Sequence, residues 1–211
     1  MNIPPNLLDA TVQHLVLTYS ALAIAIAIAL PLSLAALYSR RAAMAVMTGA
    51  NLLQAIPSFA VVAIVVPFLG IGFVPAVIAI MIRALLPIIK NAYLGLRDVD
   101  ASLIDSAKGI GLTEWQITRH IRLPHAYPPL FAGMKFAAIL ANSIAILTAI
   151  IGSGGLGSII FQGLSNLNTD KILAGSLPTI GIALFIDASF SLLERAVTPR
   201  TASPERNIKK R

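Results

Sequence analysis

The amino-acid sequence predicts an all-α membrane protein with five transmembrane helices and a two-helix loop between the third and the fourth. Hydrophobic residues make up 57% of the 211 residues and charged residues only 12%, whereas soluble domains carry about 25% charged residues. The apolar residues form runs of about 20 residues, the length at which a helix crosses a bilayer core of about 30 Å. A polar island, residues 100–124, separates two of these runs.

The first 14 residues are mildly polar and contain no Lys or Arg. They lack the basic n-region and the cleavage site of a signal peptide, so we expect residues 1–14 to form a short extracytoplasmic segment. The first apolar run covers about 15–38, where Pro31 is tolerable if neighbouring helices cover the freed backbone groups. The other predicted spans are about 44–66, 74–95, 128–151 and 172–193, with Pro128 and Pro129 opening the fourth and an extracytoplasmic loop at 158–171 preceding the fifth.

The distribution of basic residues predicts the orientation in the membrane. Five spans place the two termini on opposite sides. With the N-terminus outside, the loop at Arg40 and Arg41, the polar island and the basic tail 196–211 are cytoplasmic, and only Lys171 lies outside, as the positive-inside rule expects. The net charge of +7 is therefore assigned to topology and anionic lipid, and no partner nucleic acid is expected because no aromatic–basic stripe accompanies it.

Five polar residues inside the apolar runs are candidates for lining a translocation path, because polar groups at mid-depth must face protein or water. Arg83 is the most unusual, since a cation at the centre of a lone membrane helix costs about 2.5–3.5 kcal/mol. Asp187 is its predicted acidic partner. A kinked packing helix with a satisfied amide explains the region from Gln54 to Ser58 equally well. The five candidates are Gln54, Ser58, Arg83, Asn142 and Asp187.

The polar island predicts two short helices joined by a glycine elbow. Asp100 can cap a helix over 101–108, with Leu103, Ile104 and Ala107 on one face. Gly109 and Gly111 supply permissive backbone for a sharp turn. Thr113 and Gln116 then have capping-box spacing for a second helix, which should end near Leu123 before Pro124. Such a compact knob between two spans fits a groove on a soluble partner.

Seven residues of the island stand at spacings that are typical of one family. The Gly, the Ile and the Leu-Pro pair follow an acidic-small-small triplet at fixed offsets, namely Asp105, Ser106, Ala107, Gly111, Ile121, Leu123 and Pro124. This pattern resembles the cytoplasmic coupling loop of the permease subunits of binding-protein-dependent ABC importers, usually written EAA-x3-G-x9-I-x-L-P. Two positions depart from it: Asp105 stands where Glu is usual, and Ser106 where Ala is usual.

The resemblance implies a type I ABC importer permease fold, with residues 15–195 as the permease domain in a bacterial or archaeal plasma membrane. It implies that the seven motif residues couple the chain to a dimer of ATPase subunits. A second permease subunit, identical or related, and an extracytoplasmic solute-binding protein complete the expected assembly. The chain has no Walker A sequence, and the Gly-rich stretch 152–157 lacks the Lys of a phosphate-binding loop. We therefore expect a transport subunit that is no enzyme, binds no cofactor and leaves ATP hydrolysis to its partner.

Three passages resemble the permeases for glycine betaine, carnitine, choline and related osmoprotectants. They are LLPIIKNAYLGL, GIGLTEWQITRHIRLPHA and IGSGGLGSIIFQGL. Permeases for methionine also have five spans and a GGLG stretch, so methionine or another small solute is the alternative. The aromatic cage for a quaternary ammonium is expected in the solute-binding protein.

Two other classes of protein fit the sequence less well. A membrane-embedded enzyme needs acids, His or Cys grouped near one membrane face, but the carboxylates are scattered and the chain has no cysteine. That absence also excludes disulfides and zinc–thiolate sites. His14, His120 and His125 show no ligand spacing with a carboxylate and are interpreted as ordinary polar residues. An ion-coupled carrier or channel could use Arg83 and Asp187 as a charge relay, but it needs no coupling knob.

Overall fold

The computed structural model describes residues 4–198, and every regular element in that range is helical. In chain order, the helices are α1 Leu7–Tyr38, α2 Arg40–Ala55, α3 Ser58–Leu69, α4 Phe73–Arg97, α5 Ala101–Gly109, α6 Glu114–Ile117, α7 Leu123–Leu147, α8 Leu156–Ser165 and α9 Thr169–Val197. A π-helical turn, Thr118–Arg122, joins α6 to α7, and a 3-10 turn, Thr148–Ile151, follows α7. Most of the predicted tail 196–211 lies outside the described residues.

Within residues 4–198, four helical segments are long and apolar enough to cross a membrane, and a bent pair makes up to five. The four are Leu7–Tyr38, Phe73–Arg97, Glu114–Ile151 and Thr169–Val197. The first begins at Leu7, well before the predicted start near residue 15. Its early turns are helical because Ala10, His14 and Leu17 recur at helical spacing on one buried face.

The second predicted span is broken in the middle. Its two helices, α2 and α3, are bent by 98° at Ile56 and Pro57. Pro57 has no backbone N–H to donate, and it forces the preceding Ile56 into an extended conformation with φ −72° and ψ 127°. The prolines and polar residues in this run therefore mark a real break in the helix.

The fourth predicted span begins earlier than its prolines suggest. The expectation that the second island helix ends near Leu123, and that Pro128 and Pro129 open a new helix, is wrong. The π turn shifts the hydrogen-bond register, so that the Leu123 N–H donates to the carbonyl of Thr118, and Pro124 continues the helix into α7. The His120 and His125 rings donate from Nδ1 to the Gln116 and Ile121 carbonyls, at 2.9 and 2.8 Å.

Helix α4 lies at the centre of the bundle and packs most extensively against α1 and α7. Small residues allow α4 and α7 to approach closely. A side chain at Gly133 would meet the Pro87 carbonyl at 2.8 Å, and one at Gly95 would meet the Ala126 backbone at 3.2 Å. Helices α8 and α9 pack together beside this core. Because α8 occupies 156–165, most of the loop predicted at 158–171 is helical.

Candidate functional site

The polar island folds into a compact projection, which we call the knob (residues 100–124). Asp100 caps α5, because its Oδ1 accepts a hydrogen bond from the Ser102 N–H at 2.9 Å. This backbone N–H, followed by the Ser102 side chain, holds the pKa of the exposed Asp100 carboxyl below its usual value. The lowered pKa means that the charged cap stabilises the knob at neutral pH, and that this contribution is lost as the pH falls through it.

The elbow and the second cap of the knob follow the predicted chemistry. Gly111 has a φ of +86°, in the left-handed region that glycine adopts most easily. Thr113 and Gln116 form a complete capping box at the start of α6, with the Gln116 N–H donating to Thr113 Oγ1 at 3.3 Å. The Thr113 N–H donates in return to Gln116 Oε1 at 2.8 Å. The turn and the cap hold α5 and α6 at a defined angle.

The knob has a small hydrophobic core of its own. Ile104, Ala107 and Ile117 are buried together, with Leu112 and Ile121 packed against them. Ala107 is 4% exposed, so a larger side chain at this motif position would push the two helices apart. Leu103 was predicted on the same face, but its side chain is 39% exposed.

The remaining motif residues present side chains at the surface of the knob. Asp105 and Ser106 are exposed, and no other described residue bonds or pairs with the Asp105 carboxylate. Ile110 and Trp115, which flank the elbow, are 79% and 57% exposed. Helix α5 packs mainly against α6 and makes no extensive contact with the bundle. The knob therefore combines a rigid interior with an uncovered apolar and acidic surface.

The base of the knob is fixed to the bundle by polar contacts. The Tyr38 hydroxyl, at the end of α1, donates to Thr118 Oγ1 at 2.7 Å. Arg122 donates to the Leu96 carbonyl, near the end of α4, at 3.0 Å. The π turn joins α6 directly to α7, and Leu123 and Pro124 already belong to α7. These contacts connect the knob to three long helices, α1, α4 and α7.

Of the five candidate path residues, the structure brings Gln54 and Arg83 together. The Arg83 guanidinium donates to the carbonyls of Leu53, Gln54 and Ile56, at 3.3, 3.0 and 2.9 Å. The Gln54 amide donates in return to the Arg83 carbonyl at 3.0 Å. Ser58 begins α3 just beyond the same bend. Arg83 thus ties the broken second span to α4.

The predicted pairing of Arg83 with Asp187 is wrong. Asp187 pairs instead with Lys135 of α7, at 3.1 Å, and Lys135 also contacts the Ser191 hydroxyl of α9. Arg83 needs no carboxylate here, because three carbonyl oxygens at the end of α2 already accept its protons. Acidic partners are visible in a sequence, whereas the free carbonyls that a helix break exposes are not.

Asn142 lies in a different buried cluster. Its side-chain amide donates to the Thr179 carbonyl of α9 at 3.3 Å, so its Oδ1 faces His14 Nε2 at 3.2 Å. His14 is fully buried, and the neighbouring Gln13 accepts a hydrogen bond from the Gly155 N–H. The interpretation of His14 as an ordinary polar residue did not anticipate its hydrogen bond between α1 and α7, and the sequence did not single out Gln13, which ties α1 to the Gly-rich turn.

A family model described as "Binding-protein-dependent transport system inner membrane component" matches residues 12–203. The chain belongs to this family. It is the permease subunit of an ABC importer, a multi-pass inner-membrane protein that works with ATPase subunits, a second permease and a solute-binding protein. ATP hydrolysis belongs to the ATPase subunits. Among residues 4–198, no three His, Asp or Glu side chains lie close enough together to form a metal site.

Curated relatives of this permease share most of its length. It is 39% identical to the carnitine transport permease protein OpuCB of Listeria monocytogenes over 195 residues, 92% of this chain and 89% of the relative. It is 38% identical to the glycine betaine/carnitine/choline permease protein OpuCB of Bacillus subtilis over 194 residues, with the same coverage. The choline permease protein OpuBB of Bacillus subtilis is 35% identical over 193 residues, 92% of this chain and 89% of the relative.

Solved structures confirm the fold class of this permease. An inward-facing crystal form of the methionine ABC transporter MetNI contains a chain that superposes with a TM-score of 0.80 at 22% identity, covering 92% of this chain and 97% of that chain. A second crystal form of MetNI gives the same score and identity, covering 92% of this chain and 96% of that chain. At this identity the likeness concerns the fold alone.

Proposed function

We propose that this permease imports an osmoprotectant, such as glycine betaine, carnitine or choline. The observation that carries the proposal is the 35–39% identity to permeases named for those solutes over 92% of the chain. Methionine, the alternative from the sequence, has support only from a structural neighbour at 22% identity. Residues 15–195 are proposed as the permease domain, flanked by the segment 1–14 and the tail 196–211, and the chain is proposed to bind no cofactor.

The proposed mechanism places the ATPase contact at the knob. Asp105, Ser106 and the elbow at Gly111 would meet the partner, while Ala107, Ile121, Leu123 and Pro124 hold the knob's shape and its attachment to α7. ATP binding would close the ATPase dimer and displace the knob as a rigid body. The links from Tyr38 to Thr118 and from Arg122 to Leu96 support transmission of that displacement to the spans. The bundle would then alternate between outward-open and inward-open states.

Uptake of labelled solute tests the proposed substrate. Cells lacking their own osmoprotectant transporters would express this chain with its native ATPase and solute-binding protein. We expect ATP-dependent accumulation of glycine betaine, carnitine or choline. Uptake of labelled methionine with none of the three would favour the alternative, and accumulation on an ion gradient after ATP depletion would point to an ion-coupled carrier.

The orientation with the N-terminus outside is also a proposal, supported by the basic residues of the cytoplasmic pieces. The chain contains no cysteine, so single cysteines can be labelled without background. A membrane-impermeant maleimide should label Lys171→Cys in intact cells and Lys108→Cys only after the membrane is opened. The reverse pattern would invert the topology and separate the knob from cytoplasmic ATP.

A further inference from the structure

A polar groove lies between α2, α4 and α7, on the side of the bundle where Arg83 holds the helix break. It encloses about 400 Å³. Its lining includes two cations, two amides and one aromatic ring, namely Arg83, Lys90, Gln54, Asn91 and Phe136. No Asp or Glu of the described residues lines it. The groove therefore carries two positive charges with no acidic side chain of the described residues beside them.

The two cations of the groove retain unused hydrogen-bond donors. Over residues 4–198, Lys90 makes no hydrogen bond or ion pair. Arg83 uses one terminal nitrogen for its three carbonyl bonds, and its buried Nε has no hydrogen-bond partner in the described part of the chain. A buried donor without an acceptor costs about 1–3 kcal/mol. The Arg83 Nε is too buried to reach a solute, but the second terminal nitrogen of Arg83 and the exposed Lys90 ammonium are available to bind an anionic group.

The depth of these cations argues against a surface that faces lipid. The middle residue of α4 is Leu85, so Arg83 and Lys90 lie two and five residues from it, or about 3 and 8 Å along the axis. Being seven residues apart, they lie on the same face of α4, two turns apart. Two cations and two amides at this depth are expected to face water or protein. In an importer permease, the water-filled solute path meets that requirement, as does contact with the second permease subunit.

We infer that this groove is a solute-contact site selective for zwitterions, with Lys90 and Arg83 holding a carboxylate and Phe136 contacting a quaternary ammonium. The inference rests on the proposed function. Phe136 lies on α7 and is 59% exposed, so its ring is open to a cation, which the face of an aromatic ring attracts. Glycine betaine and carnitine carry both groups. Choline has no carboxylate, and the two groove cations repel it.

The transport test compares Lys90→Gln with the wild-type complex, using labelled glycine betaine, carnitine and choline. Lys90 is chosen because it makes no described contact that its removal would break, whereas Arg83 holds the helix break. We expect the ratio of glycine betaine uptake to choline uptake to fall about fivefold, the effect of a partly screened ion pair.

Two variants serve as controls for this ratio. Lys90→Arg should restore it, and Lys171→Gln, which removes a cation from the first turn of α9, should leave it unchanged. An equal effect of Lys90→Gln on all three solutes would overturn the inference, whereas a wild-type complex that imports none of them would refute the proposed function instead.

A second test measures the effect of the groove's positive charge without relying on uptake. Leu140 lines the groove, and Leu140→Cys introduces the only thiol of the chain. A small anionic thiosulfonate should modify this cysteine faster than a trimethylammonium thiosulfonate of similar size, and adding Lys90→Gln should reduce the rate ratio about fivefold. A cysteine that neither reagent modifies would show that lipid or protein fills the groove. That result, or a ratio of modification rates that Lys90→Gln leaves unchanged, would overturn the inferred solute-contact site.

Discussion

The knob and the broken second span are both helix–turn–helix units, yet they are held together in opposite ways. In the knob, the caps join residues two or three apart, such as Asp100 with Ser102 and Thr113 with Gln116. At the break between α2 and α3, Arg83 bonds carbonyls that lie 27–30 residues away in the chain. The knob therefore keeps its shape largely independently of the bundle, whereas the bend has its shape only while α4 is in place.

This difference suits the two regions to different tasks. A locally stabilised projection can move as a rigid body, because its internal shape does not depend on its contacts with the bundle. A bend tied to the central helix by a cation must move together with α4. In the alternating-access mechanism proposed above, the knob receives the motion of the ATPase partner. The bend forms part of the helix bundle around the groove.

The largest expected effect comes from removing the long-range tie at the bend. Arg83→Leu should destabilise the fold, because the carbonyls of Leu53, Gln54 and Ile56 lose their side-chain donor. We expect a loss of about 2–4 kcal/mol, as hydrogen bonds from a charged donor contribute about 1.5–3 kcal/mol each and are not additive. Unfolding of the purified permease in detergent by titrated SDS measures it.

Arg83→Lys is the matched control for the bend. It keeps the positive charge but has a single ammonium in place of the planar guanidinium. Its stability should lie between those of the wild type and Arg83→Leu. If Arg83→Leu unfolds like the wild type, the bend is held by packing, and the contrast with the knob is lost.

A smaller effect is expected at the capping box of the knob. Thr113→Ala removes the acceptor of the Gln116 N–H and should destabilise the start of α6 by about 1 kcal/mol. Hydrogen exchange should become faster in a peptide covering 114–117 and remain unchanged in α4, because the cap is local. Thr169→Ala is the control, because Thr169 is exposed at the start of α9 and its side chain makes no hydrogen bond within residues 4–198. Faster exchange throughout the bundle in Thr113→Ala would show that the knob is not independent.

The same contrast explains which features could be predicted from the sequence. The caps at Asp100 and Thr113 and the elbow at Gly111 depend on neighbouring residues, so their chemistry is visible in the sequence. The five apolar runs were visible because membrane spans require length and composition alone. The partner of Arg83 was not, because the carbonyl acceptors become available only when Pro57 breaks the helix and α4 packs beside the break.

Three further features show where prediction from the sequence stops. The π turn before Pro124 depends on a small shift in helical register, which no short-range preference announces. Lys90 was not among the predicted path residues, although its spacing of seven residues from Arg83 places both on one face of a helix. Asn142 was recognised as polar at depth, but its partner His14 lies 128 residues away.

The most direct test of the account is the pair Gly111→Asp and Gly111→Asn in the assembled transporter. Apart from its two chain neighbours, no described residue lies within 4 Å of a Cβ added at this elbow, and Asp and Asn both tolerate the left-handed backbone better than most residues. The variants therefore differ at the partner's surface and not within the knob. We predict that Gly111→Asp inserts normally but loses ATP-driven uptake and releases the ATPase during purification, while Gly111→Asn retains both in large part. Wild-type uptake and retention of the ATPase by Gly111→Asp would contradict docking at the knob.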